Sequence, residues 1–133
     1  MRIKIKNTFK EKKQYYHAHN KFKVAFNGIK LVFREEGSFR YQFILLLITF
    51  LFGLAIGLSK IEWVAIIFSA TIVFTFEMVN TAIENMVDMI SPNYNKMAGK
   101  IKDISAGAVL VSSFGALLVG ALIFIPKIVE IFF

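Results

Sequence analysis

From Phe43 to Leu58 the chain carries no charged residue, and its apolar run is broken only by Thr49, Gly53 and Gly57. A helix of about 20 residues crosses a hydrocarbon layer about 30 Å thick. A first membrane span is therefore expected over 39–58. A second follows over 61–85, with Ser91-Pro92-Asn93 ending its helix. The third, over 104–125, is rich in small residues (Ser105, Gly107, Ser112, Ser113, Gly115, Gly120) and should close at Pro126-Lys127. Gly53 and Gly57 form a small-xxx-small pair that would let another helix approach closely. Hydrophobic residues make up 56% of the 133, and fifteen are Phe; with a mean hydropathy of +0.61 little polar material remains for a soluble shell. The fold class is an all-α membrane protein.

Charge is sharply partitioned. Residues 1–40 hold eleven Lys or Arg against Glu11, Glu35 and Glu36, whereas the other 93 residues hold five basic and six acidic side chains. Basic residues beside a span mark the cytoplasmic side and contact anionic headgroups. Without a nucleic-acid motif or an aromatic stacking pattern, no nucleic-acid partner is expected. Residues 1–19 read as a basic, mobile arm in which His17 and His19 form a solvated turn. Over 20–36, Phe22, Phe26, Ile29 and Phe33 recur at helical spacing, opposite Lys21, Lys23, Asn27, Lys30 and Arg34. That pattern predicts an amphipathic helix lying in the membrane interface. Lys96, Lys100 and Lys102 make 91–103 a cytoplasmic loop, on the same side as the N-terminus. No secretory signal is visible, so the spans should remain in the mature protein. With no cysteine in the chain, disulfides, thiolate metal sites and cysteine nucleophiles are excluded. The segment 20–133 reads as a single membrane domain.

The chemistry is concentrated at the inner end of the second span, in Glu77-Met-Val-Asn80-Thr-Ala-Ile-Glu84-Asn-Met-Val-Asp88. At about 100° per residue, Glu77, Asn80, Glu84 and Asp88 share one helix face. Ionisable groups at membrane depth are costly and signal function. Three short spans cannot bury four such side chains and also enclose a substrate, so a homo-oligomer with sites between protomers is expected. Glu77 and Glu84 lie about 10 Å apart along the axis: the deeper acid can meet a lipid headgroup and the shallower one a soluble ligand. Hard oxygen ligands point to Mg2+ with substrate phosphates. Gly99-Lys100 is followed by Ile101, so no Walker A loop is present. These residues alone leave open a phosphotransferase, a cation channel with an acid ring of Glu77 and Glu84, or a transporter.

The same stretch resembles the signature of the prokaryotic diacylglycerol kinase family, Glu-x-hydrophobic-Asn-Ser/Thr-Ala-hydrophobic-Glu-x-x-Val-Asp. Glu36-Gly-Ser-Phe39-Arg40 resembles the family's Glu-x-x-Phe-Arg segment, and Lys102-Asp103 its Lys-Asp pair; the likeness covers about residues 22–126. It implies a homotrimeric helical bundle in the bacterial plasma membrane that transfers the γ-phosphate of ATP to a lipid alcohol, with Mg2+. By that likeness Glu77 is the catalytic base and contacts the lipid substrate together with Asn80. Glu36 and Glu84 hold Mg2+ and, with Lys102 and Asp103, bind the nucleotide. Glu35 is the alternative to Glu36. Asp88 either serves the site with the rest of the signature or merely pairs with Lys96 or Lys100 at the membrane surface. Ile61-Glu62-Trp63 and Ile123-Phe-Ile-Pro126-Lys127 look like the Gram-positive undecaprenol kinase branch, which makes undecaprenol the expected acceptor and diacylglycerol the alternative.

Overall fold

The computed structural model describes residues 21–93 and 95–132, and every regular element among them is an α-helix. The basic arm expected over 1–19 lies outside the described residues. The chain divides into two units between Glu35 and Glu36. In the first, α1 spans Lys21–Glu35, close to the predicted 20–36. Its stripe of Phe22, Phe26, Ile29 and Phe33 is exposed, and Arg34 in the last turn complements the negative end of the helix dipole.

The second unit holds α2 (Gly37–Ile56), α3 (Lys60–Ile90) and α4 (Lys96–Phe132). All three are long and apolar enough to cross a membrane. At 1.5 Å per residue they measure about 30, 46 and 55 Å, so α3 and α4 outrun a hydrocarbon core of about 30 Å. Large apolar side chains such as Leu45, Ile67 and Leu118 are exposed along all three. Lipid tails solvate such a surface at no cost, whereas water would not. The buried apolar residues are few: Phe39, Ile66, Val73 and Val87 in this unit. α3 packs along α4, and α2 rests on α3 more lightly. Ring contacts fasten α2: Phe39 meets Phe74 edge-on with centroids 4.9 Å apart, Phe50 meets Trp63 at 5.1 Å, and Phe52 meets Phe124 at 5.4 Å.

Four boundary and packing expectations need correction. The predicted 91–103 loop shrinks because α4 begins at Lys96: Asn95 Oδ1 accepts from the backbone N of Met97 at 2.8 Å and of Ala98 at 3.4 Å, capping the helix. Lysine-rich composition looks like a loop, but here it is the polar first turns of a helix longer than a span requires. Pro126 does not end α4, which continues to Phe132; in a span the loss of one backbone donor is tolerated when the rest of the ladder holds. Gly57 is not a packing residue. It has φ +72° and donates its backbone N–H to Gly53 O at 3.1 Å, the left-handed cap that stops α2. Gly53 alone makes the close approach, against the side chains of Leu58 and Trp63. Of the small residues of α4, Ser105 is buried against α3, but the glycines do not pack tightly within the protomer, since a Cβ on Gly107, Gly115 or Gly120 would meet nothing within 4 Å.

Ser59 starts α3 with a reciprocal cap: its backbone N–H donates to Glu62 Oε2 at 2.6 Å and its hydroxyl accepts from the Glu62 N–H at 3.4 Å. Lys127 of α4 pairs with Glu62 at 3.4 Å. This pins one end of α3 to α4 and leaves the acid-bearing end to the site.

Candidate active site

α3 supplies the acids. Glu77 lies seventeen residues beyond Lys60, about 26 Å along the axis, near the far boundary of a core about 30 Å thick. The residue is 5% exposed, and a buried carboxylate needs donors. α2 provides two. Ser38 donates its hydroxyl to Oε1, and Gln42 donates through Nε2 to Oε2 at 3.2 Å. Ser38 and Gln42 stand one turn apart on α2, so one helix face grips both oxygens. The planar amide of Gln42 must turn its N–H toward a carboxylate. Its Oε1 is then left buried with no partner among the described residues. Thr81, also buried, returns its hydroxyl to the Glu77 carbonyl at 3.0 Å and spends no donor on the site.

One turn on, the stripe faces α4 instead. The single hydroxyl hydrogen of Ser105 has two acceptors in reach, Asn80 Oδ1 at 2.6 Å and the Lys102 carbonyl of its own helix at 2.9 Å, of which Asn80 is the nearer; Asn80 Nδ2 in turn donates to Glu84 Oε1 at 3.0 Å. Ser105 is buried and Asn80 and Glu84 are half-buried, so this relay fixes the direction of the Glu84 carboxylate. Among the described residues Glu84 Oε2 receives no hydrogen bond. Asp88, exposed near the end of α3, pairs with Lys102 at 2.5 Å. An ion pair is one of the two readings of Asp88, but its partner is Lys102 rather than Lys96 or Lys100. The four polar residues of one sequence stripe are thus divided, Glu77 toward α2 and Asn80, Glu84 and Asp88 toward α4.

Glu36 precedes α2 as its N-terminal flanking residue, half-buried, in extended backbone. Asp103 is exposed beside Lys102. Among the described residues of one protomer, no three acids or histidines gather into a metal-holding cluster. Mg2+ asks less than that, being held by one or two carboxylates plus substrate phosphates, and the oriented, half-buried Glu84 fits that role. Two grooves flank the site. One of about 320 Å³ lies between α3 and α4 beside Asn80 and Ser105. The other, about 610 Å³, is lined by Gln42, Leu46, Val73, Phe74 and Phe124 among others and runs away from Glu77 between all three spans. A cavity of this size suits an apolar chain with few polar anchors.

A family profile described as prokaryotic diacylglycerol kinase matches residues 23–124. The chain belongs to the prokaryotic diacylglycerol kinase family. It is 33% identical over 122 residues to the undecaprenol kinase of Bacillus subtilis, covering 89% of this chain and 99% of that protein. It is also 30% identical over 96 residues to the diacylglycerol kinase of Haemophilus influenzae, covering 72% of this chain and 81% of that one. The diacylglycerol kinase of Escherichia coli K12 matches at 28% over 88 residues, 66% of this chain and 72% of its own. As a member of the prokaryotic diacylglycerol kinase family the chain is a lipid kinase, an ATP-dependent phosphotransferase with an alcohol acceptor.

Within this family member, Ser38, Gln42 and Ser105 were not singled out from sequence as site residues. A signal for the first pair existed: Ser38 and Gln42 are four apart, on one face of α2, directly after the Glu36 motif. Ser105 follows Lys102 by one turn, but in a run of small residues its hydroxyl reads as packing.

Proposed function

We propose that this protein phosphorylates undecaprenol at the bacterial plasma membrane, with Glu77 taking the proton from the lipid hydroxyl. The observation that carries the reading is the buried Glu77, its carboxylate gripped by donors from α2, at a distance along α3 that helix rise puts near the bilayer surface. A base placed there can reach an alcohol whose tail stays in hydrocarbon. Asn80 stands one turn from Glu77, tied to Ser105, and would help position the hydroxyl.

Glu84 and Glu36 would hold Mg2+, which supplies charge neutralisation on the phosphoryl oxygens when bound. Lys102 and Asp103 would meet the nucleotide at the aqueous start of α4, and Lys102 would offset negative charge on the phosphates. The basic segments at the N-terminus and around Lys96 and Lys100 favour a cytoplasmic N-terminus, where ATP is found. A homotrimer with sites shared between neighbours completes the reading. It is supported by the unfilled space beside Gly107, Gly115 and Gly120 and by the lack of a three-acid cluster in one described protomer.

Undecaprenol is favoured over diacylglycerol because the undecaprenol kinase match runs over nearly all of both chains; the diacylglycerol kinases in the family keep that acceptor as the second reading. The test is purified protein in detergent with Mg-ATP and each lipid alcohol, singly and in competition. Undecaprenol should win, and Glu77→Gln should abolish transfer while the oligomer persists. A clear preference for diacylglycerol would reverse the substrate assignment, and transfer by the Glu77→Gln protein would remove the base.

A further inference from the structure

Glu77 Oε1 already holds an alcohol. Ser38, 39 residues away in sequence, donates its hydroxyl hydrogen to that oxygen, and a serine side chain is a primary alcohol like the acceptor of a lipid kinase. A general base must lie within hydrogen-bond reach of the proton it takes, and here that relation is satisfied by a residue of the chain itself. The two carboxylate oxygens have different surroundings. Oε2 meets Gln42, which is half-buried and lines the apolar groove. Oε1 meets Ser38, which is exposed in the first turn of α2, two residues after Glu36. A phosphoryl donor arriving from water can approach the Ser38 side, whereas the Gln42 side opens toward hydrocarbon.

We propose that Oε1 is the seat of the acceptor hydroxyl, that Ser38 fills this seat while no lipid is bound, and that Ser38 then accepts the phosphoryl group itself. The inference rests on Glu77 as the base. Ser38 Oγ forms a bond to the γ-phosphorus of ATP, and the bond from that phosphorus to the β,γ-bridging oxygen breaks. ADP leaves with the bridging oxygen, and the Oγ proton passes to Glu77 Oε1. When a lipid alcohol is present it displaces the Ser38 hydroxyl, and the same transfer is directed to lipid.

Lipid-free protein in detergent, incubated with Mg-ATP and analysed by peptide mass spectrometry, should carry phosphate on Ser38. The phosphate should be absent from Ser38→Ala and from Glu77→Gln, and should fall tenfold or more at saturating undecaprenol. Protein that phosphorylates lipid yet never carries phosphate on residue 38, or carries it equally with and without lipid, overturns the proposal. A second measurement needs neither metal nor nucleotide: in Ser38→Ala the incoming alcohol no longer displaces a hydrogen bond to a carboxylate, so equilibrium binding of labelled undecaprenol should tighten roughly tenfold. Unchanged affinity overturns the shared seat. Should Glu77→Gln still phosphorylate lipid, the base assignment fails in the lipid assay itself, and this inference falls with it.

Discussion

Lys102 Nζ lies 2.5 Å from Asp88 Oδ1, joining the end of α3 to the second turn of α4. The Lys102 ammonium, which the proposed mechanism assigns to the nucleotide phosphates, is thereby held in one direction. The two side chains are 35% and 64% exposed, which limits the pair to about 1 kcal/mol of stability or less. Its value lies in direction rather than in strength.

Asp88→Asn should therefore leave thermal stability nearly unchanged and raise the KM for ATP severalfold, because the ammonium loses its fixed orientation. Initial rates against ATP concentration, at saturating lipid, check this. An unchanged KM with a large drop in melting temperature would assign the pair to folding alone.

Gly53→Ala should destabilise the α2–α3 turn. An added Cβ would stand 2.8 Å from Leu58 Cδ1 and 2.9 Å from Trp63 Cη2. Leu58 can rotate, but the indole is wedged against Phe50, so a cost of about 1–3 kcal/mol is expected. Trp63 is the chain's single tryptophan, and its fluorescence during thermal unfolding reports the effect directly. Trp63→Phe in the same protein should restore part of the loss, read by circular dichroism because that variant has no tryptophan.

The three spans and the amphipathic α1 were legible because a run of about 20 apolar residues, and a stripe at helical spacing, have few other solutions. Ends were less legible. The first turns of α4 look like a loop by charge, and only the capping geometry of Asn95 reveals the helix. The acid stripe from Glu77 to Asp88 was visible as one face, yet spacing along a single helix cannot say which neighbour each residue meets. The split between α2 and α4 depends on how the helices pack around α3, and so do the partners Ser38, Gln42 and Ser105. Gly57 shows the same limit: small-xxx-small spacing does not distinguish a packing glycine from a left-handed cap.

Gln42→Leu should separate positioning from stability. The substitution removes the Nε2 bond to Glu77, and with it the buried Oε1 that has no partner. Losing a bond and relieving an unsatisfied acceptor oppose each other, so the melting temperature should move little. The freed Glu77 carboxylate loses its orientation, and kcat for lipid phosphorylation should fall about tenfold or more at unchanged KM for ATP. A loss of stability without a loss of kcat would show that Gln42 is a packing residue.

Ser105→Ala tests the relay that orients Glu84. Ser105 holds Asn80, and Asn80 holds Glu84 Oε1, so removing the hydroxyl lets the amide swing and the carboxylate with it. Groups that orient a metal-binding carboxylate typically contribute 10- to 100-fold to affinity; one step further removed, Ser105→Ala should raise the Mg2+ concentration for half-maximal rate up to about tenfold. Excess Mg2+ should restore most of the rate, whereas in Glu84→Gln it should not. If Ser105→Ala lowers the maximal rate at every Mg2+ concentration and leaves the midpoint in place, the relay acts on the lipid side through Asn80, and Glu84 is oriented by something else.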